Sequence, residues 1–286
     1  MISNFQELHQ LVQGAEPKTV ALVAAEDPIL IRAAGRAQKE GLAKFILVGD
    51  RRKIQSLIPP DEPSFEVKDS QHPAQDGIQL INKGQANLLM KGKLQTSDLL
   101  RAVLNKETGL RQGELLNHIS VVESQNYHKL VFISDGGLNL HLDENVFIQM
   151  AHNIAAYLRK LDILTPRFGM MALVENVTDK IPETVIAERV ARRLAATYKI
   201  EGPIAPDVAL SAAAALQKGL SSEIAGDVDV FLMPNTTAAN HMVKGLYTLG
   251  GCKIGGVIVG AKVPIILLSR SDDADSKYRS ILLGLV

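Results

Sequence analysis

Residues 227–240, DVDVFLMPNTTAAN, and residues 263–276, VPIILLSRSDDADS, each run an apolar segment straight into small polar residues. Val228–Met233 is short and mostly apolar, the pattern of a strand buried on both faces. It breaks at Pro234-Asn235-Thr236-Thr237, ahead of Ala238-Ala239-Asn240. Pro264–Leu268 repeats the pattern and breaks at Ser269-Arg270-Ser271-Asp272. Strands of this kind belong to parallel sheets covered by helices, where ligands sit just beyond the carboxyl ends. The two breaks therefore predict an α/β fold with a site at its strand ends.

The chain before these stretches alternates in the same way. Thr19–Ala25 reads as a strand, Asp27-Pro28 as a helix cap, and Phe45–Val48 as a second strand: a parallel crossover unit. Ala86–Met90 reads as a third strand, followed by Lys91-Gly92-Lys93 and a helix capped by Thr96 or Ser97. Ile119–Glu123 and Leu130–Ile133 are further strands, the second ending in the sharp turn Ser134-Asp135-Gly136-Gly137. Asp143 opens a long helix, Gly169–Val174 is a strand, and Asp207 is expected to cap an Ala-rich helix ending near Gly219. Ala274–Leu285 fits a last helix. The expected organisation is two lobes, 1–134 with 263–286 and 135–262, with parallel-rich sheets flanked by helices.

The 286 residues are 46% hydrophobic, enough for a substantial core. Lys plus Arg and Asp plus Glu each number 31, so the net charge is zero. That argues against nucleic-acid binding by bulk charge. Cys252 is the single cysteine, so no intrachain disulfide forms. The N-terminus lacks a signal-peptide pattern, and no apolar run approaches the roughly 18 residues of a membrane span. A cytoplasmic protein without membrane association is expected.

Chemistry concentrates at the strand ends. Arg270 can grip a phosphate or carboxylate through paired hydrogen bonds, and Ser269 beside it can donate to a developing oxyanion. Lys91 and Lys93 bring charge beyond another strand, with Gly92 allowing close approach to the backbone. Asp272, Asp273 and Asp275 suit the first turn of the last helix, whatever else they do. The seven histidines show no metal-ligand spacing, and neither a P-loop nor a dinucleotide fingerprint occurs. Gly255-Gly256 is expected to serve tight packing beneath the final strand, and Cys252 to be a packing residue.

With these blocks in place, the chain resembles the phosphate acetyltransferase and phosphate butyryltransferase family. The resemblance rests on NLLMKGKLQTSDLL (Asn87–Leu100), Gly109-Leu110-Arg111 with His118, and VFISDGGLN (Val131–Asn139). GPIAPDVAL (Gly202–Leu210) and the two stretches quoted first complete it. The short chain and the Ser-Arg-x-Asp ending look closer to the butyryltransferase branch. The resemblance implies reversible transfer of a short, butyryl-like acyl group from acyl-CoA to inorganic phosphate, giving acyl phosphate and coenzyme A. Coenzyme A is then substrate and product, with no bound cofactor or metal. It also implies a two-lobed fold like the isocitrate and isopropylmalate dehydrogenases, a cleft between the lobes, and a homodimer or higher homo-oligomer. Arg270, Lys91 and Arg111 become a phosphate clamp, Ser269 an oxyanion donor, and Asn235, Thr236 and Asn240 substrate contacts. In the acetyltransferases the base is an aspartate seven positions after the serine. That count lands on Ser276, so the role falls to Asp275, with Asp272 as rival. Ala239 stands where the family usually has glycine. Alternatives are transfer of an acetyl group, a dehydrogenase of the same fold class, and a non-catalytic sensor of coenzyme A or phosphate.

Overall fold

The short apolar runs become strands in the computed structural model, which describes residues 2–113, 115–267, 269 and 272–286. The chain opens with α1 (Phe5–Gln13), β1 (Lys18–Val23), α2 (Pro28–Lys39), β2 (Ala43–Gly49) and α3 (Arg51–Leu57). β3 (Glu66–Asp69), α4 (Pro73–Asn82), β4 (Leu88–Lys91) and α5 (Thr96–Val103) follow. Next come β5 (Asn117–Glu123), β6 (Val131–Ser134), α6 (Glu144–Arg159), β7 (Arg167–Met171) and α7 (Pro182–Leu194). β8 (Lys199–Ile204), α8 (Pro206–Leu210), α9 (Ala212–Gln217), β9 (Val230–Leu232) and α10 (Thr236–Thr248) complete the middle of the chain. It ends in β10 (Lys253–Val259), β11 (Ile265–Ile266) and α11 (Ala274–Leu285).

These elements pack as two compact units. The first comprises Phe5–Glu114 and Gly255–Val286, the second Leu115–Ile254 with the residues ahead of Phe5. The lobes expected from sequence divide at 134/135 and 262/263, whereas the units divide at 114/115 and 254/255. β5 and β6 stay in one unit because they form an antiparallel pair, Ser120 opposite Ile133 through Val122 opposite Val131. In the first unit the strand order is β3-β2-β1-β4-β11-β10. All neighbours there are parallel except β10 and β11. In the second unit the order is β5-β6-β9-β7-β8, parallel apart from the first pair. The sheet is thus mixed and mostly parallel, with flanking helices. Among the described residues, no helix is long and apolar enough to cross a membrane.

The strong apolar runs form where expected, since a strand covered on both faces must be apolar throughout. Val20–Val23 and Leu88–Met90 are fully buried, as are Val230–Leu232. Asp27 caps α2 as expected, its Oδ1 accepting the N–H groups of Ile29 (2.8 Å) and Leu30 (3.2 Å). Three strands are not expected from the sequence pattern. β3, EVKD, is polar because it is an edge strand held by backbone pairing with β2. β8, KIEGPI, is hidden by its glycine and proline, yet pairs with β7. β10 contains Gly255-Gly256, and the packing there is against the last helix rather than beneath the final strand. A Cβ on Gly255 would meet Leu283 at 2.9 Å, and Gly256 N–H donates to Ser280 Oγ at 2.9 Å. Asp207 is not a cap: α8 starts after Ala205, and Ser211 restarts the chain as α9 by accepting the Ala214 N–H.

Candidate active site

β4 lies between β1 and β11 and runs parallel to both, so three adjacent strands end on one edge of the first unit. That edge carries a pocket of about 640 Å³. The turn after β4 folds tightly onto the end of β1. Gly92 N–H donates to Val23 O (2.8 Å) and Lys93 N–H to Ala24 O (2.7 Å). A Cβ on Gly92 would lie 2.1 Å from Ala24 O. The glycine is therefore required by chain-on-chain contact. Ala24 itself takes a left-handed φ of 53°, a conformation costly for a residue with a side chain.

Lys91 and Ser269 both line this pocket, in keeping with their positions after apolar runs. Lys91 is only 5% exposed, and its Nζ donates to Gly92 O at 3.2 Å. Ser269 is tied to Asp272, whose Oδ2 accepts the Ser269 backbone N–H at 2.8 Å. Asp27, at the start of α2, faces the same space. Arg270 lies outside the described residues.

Lys277 also lines the pocket, and nothing in its local sequence singles it out. It is 2% exposed, and its Nζ donates to Asp272 O at 2.7 Å. Asp272 thus joins Ser269 through its side chain and Lys277 through its carbonyl. The helical phase of Lys277 becomes readable only once the packing of α11 is known. The residue shares the i, i+4, i+7 stripe of α11 with Ile281 and Gly284. That stripe is turned inward: a Cβ on Gly284 would meet Leu88 at 2.8 Å and Ile266 at 2.9 Å.

α11 is held in place by a cluster with α2. The Arg36 guanidinium stacks over the Tyr278 ring at 3.8 Å, and Tyr278 donates its phenolic hydrogen to Glu40. Burial alone would raise the Glu40 carboxyl, but hydrogen bonds from Tyr278, His9 and Arg36 outweigh it and hold the group below its ordinary value. Burial, with Glu40 adding to it, pushes the Tyr278 phenol up. Asp275 belongs to this cluster. It is 67% exposed, pairs with Arg36 at 3.1 Å, and does not line the pocket. Arg111 is exposed and forms a bridge with Ala261, also away from the pocket lining.

In the second unit, the turns after β6 and β9 are bound together. Asp135 is fully buried. Its Oδ1 accepts the N–H groups of Gly137 (2.7 Å) and Leu138 (2.5 Å). Its Oδ2 accepts the His118 N–H (3.2 Å) and the Asn139 amide (2.7 Å). Thr236 donates its hydroxyl hydrogen to Asn139 O, and the Asn240 amide reaches Gly136 O at 3.5 Å. Asn235 caps α10, accepting the Ala238 N–H at 2.8 Å. Asn235, Thr236 and Asn240 therefore gather at the start of α10, against the turn after β6. Asp135, which the sequence marks only as part of a sharp turn, organises it. Ala239 is fully buried and packs in the core of this unit with Phe231 and Val243.

A family model described as phosphate acetyl/butaryl transferase matches residues 62–284. The chain is 35% identical to a phosphate butyryltransferase of Clostridium acetobutylicum, over 99% of this chain and 98% of that one. It is 30% identical to a phosphate acetyltransferase of Thermotoga maritima, over 98% of each. The crystal structure of a branched-chain phosphotransacylase from Enterococcus faecalis superposes with a TM-score of 0.85 at 28% identity, covering 94% of this chain and 98% of that one.

Proposed function

We propose, from the premise that this chain belongs to the phosphate acetyl/butaryl transferase family, that it transfers a short acyl group between coenzyme A and inorganic phosphate. The observation that carries the reading in this molecule is Lys91 and Ser269 lining one pocket beyond three parallel strand ends.

In the direction of acyl phosphate, a phosphate oxygen attacks the thioester carbonyl. The new C–O bond forms, the C–S bond breaks, and thiolate departs and takes up a proton. Charge gathers first on the carbonyl oxygen and then on sulfur. A Ser269 donor suits the former, worth about a hundredfold to a thousandfold in rate for comparable donors. Lys91 and Arg270 suit the attacking phosphate, since a fixed cation holds it at little reorganisation cost. In the reverse direction a free thiol, with pKa near ~8.5, is mostly protonated at neutral pH, so a carboxylate that accepts its proton helps. Asp272, which is joined to Ser269 though not itself in the pocket lining, is the carboxylate we assign that part. Arg111 is assigned to the substrate phosphate, and Asn235, Thr236 and Asn240 to hydrogen bonds with the acyl carrier.

A butyryl-like acyl group is favoured by the full-length likeness to a phosphate butyryltransferase, and acetyl is the alternative. Thiol release from acyl-CoA of C2 to C6 chain length, with and without phosphate, tests both points. Phosphate-dependent release that peaks at C4 is expected. No phosphate-dependent release at any length would overturn the reading.

A further inference from the structure

Lys277 is an ammonium almost wholly removed from water. Taking a charge out of water is costly unless an opposite charge or full hydrogen bonding compensates it. Among the described residues, Asp272 O is the partner of its Nζ, and no carboxylate stands within ion-pair distance. An ammonium carries three donors. The carboxylates that share the pocket are engaged with other groups. Glu26 accepts the Asp50 N–H at 2.7 Å, Asp27 caps α2, and Asp98 pairs with Arg101 at 3.4 Å. The same pocket holds Lys91 and Ser269, and Asp272 ties Ser269 and Lys277 together. The clamp of α11 onto α2 through Arg36, Tyr278 and Glu40 keeps the lysine where it is. A buried cation set at the wall of a pocket whose lining holds a second buried cation is a receptor for an anion.

We propose that Lys277 is a substrate-contacting residue whose ammonium binds the oxygens of inorganic phosphate, and of the phosphoryl group once it is acylated. This deepens the acyl-transfer reading and rests on it for the reaction, but phosphate binding can be measured without turnover. Lys277 then sets which substrate is felt: the anion, not the thioester.

The experiment compares wild type, Lys277→Met and Lys277→Arg. Inorganic phosphate binding is measured by titration calorimetry, and initial rates are measured against phosphate and butyryl-CoA separately. Lys277→Met is expected to weaken phosphate binding and raise its KM by about tenfold to a hundredfold, with the butyryl-CoA KM changed by less than about threefold. Lys277→Arg should recover part of the loss. In the wild-type protein, phosphate should also shield Lys277 from an amine-acylating reagent, read by mass spectrometry; this arm needs no variant to fold. Unchanged phosphate affinity in Lys277→Met, equal labelling with and without phosphate, or an equal rise in both KM values would overturn the assignment. If phosphate binding depends on Lys277 while wild type releases no thiol from any acyl-CoA, the lysine assignment stands and the acyl-transfer reading falls. If wild type turns over and phosphate affinity is indifferent to Lys277, the acyl-transfer reading stands and the lysine assignment falls.

Discussion

Two lysines with nearly the same burial sit in opposite electrostatic settings. Lys129, just before β6 in the second unit, is 5% exposed and meets two carboxylates, Asp227 and Asp229, each at 2.7 Å. Arg167 adds a second cation, 2.6 Å from Asp227. Lys277, on α11 in the first unit, is 2% exposed and meets a backbone carbonyl at the wall of a pocket. The first is a closed ionic cluster at the starts of strands, where ligands do not bind in such sheets. The second lies beyond strand ends, where they do. Burial of a charge does not distinguish scaffold from site; whether the protein has supplied the opposite charge does.

That contrast breaks if the two lysines respond alike. Lys129→Met leaves the buried Asp229 without its ion-pair partner and should cost about 3–5 kcal/mol in urea unfolding. Lys277→Met leaves no buried acid stranded and should shift stability by less than about 1 kcal/mol. Equal losses would make Lys277 one more scaffold charge. Next in size is Ser269→Ala, expected to lower kcat by about a hundredfold to a thousandfold while the urea midpoint holds. Arg270→Ala should remove a charge-assisted contact worth about 1.5–3 kcal/mol, read as a rise in the phosphate KM. A normal phosphate KM in that variant would remove Arg270 from the clamp.

The ionic cluster makes its own prediction. Burial would raise the Asp227 carboxyl, but Lys129, His128 and Arg167 outweigh it and hold it below the ordinary carboxylate value. A lowered folded value contributes stability that is complete above about pH 4 and is lost as pH falls below that. Wild-type stability should therefore drop on its acid limb, and Asp227→Asn should flatten that limb while lowering stability at neutral pH. An unaltered limb would show that the cluster does not couple folding to protons. The smallest effect is expected for Asp275→Asn. Its pair with Arg36 is largely exposed on both sides, so about 0–1 kcal/mol of stability is at stake and kcat should hold. A large fall in kcat with a displaced pH profile would return the thiol proton to Asp275.

The contrast also shows where sequence reading succeeds. Lys91 is legible because it follows Leu88–Met90 directly, and a strand's end can be seen from its apolar run. Lys277 is not, because a lysine five residues after Asp272 in a polar helix start looks solvent-facing until one knows which side of α11 lies on Leu88 and Ile266. Asp275 and Lys277 are two positions apart, and helical geometry turns them to different sides: one outward to Arg36, one inward to the pocket. Counting along the chain from Ser269 cannot make that choice. Asp135 is equally hidden. Ser134-Asp135-Gly136-Gly137 announces a turn, but not that the carboxylate would be fully buried and accept four N–H groups.

Local pattern was enough for the alternation of buried strands and capped helices, and for the expectation that chemistry gathers where apolar runs stop. Both follow from short-range physics: a strand covered on two faces has no room for polar side chains, and a helix start needs its N–H groups capped. Tertiary packing alone decided that β4 would lie between β1 and β11 and that α11 would turn Lys277 inward. It also decided that Lys129 would find two acids while Lys277, among the described residues, met a carbonyl. Those outcomes depend on groups far apart in the chain coming together, as Lys129 and Asp229 do, and a charge acquires its meaning from its neighbours in space.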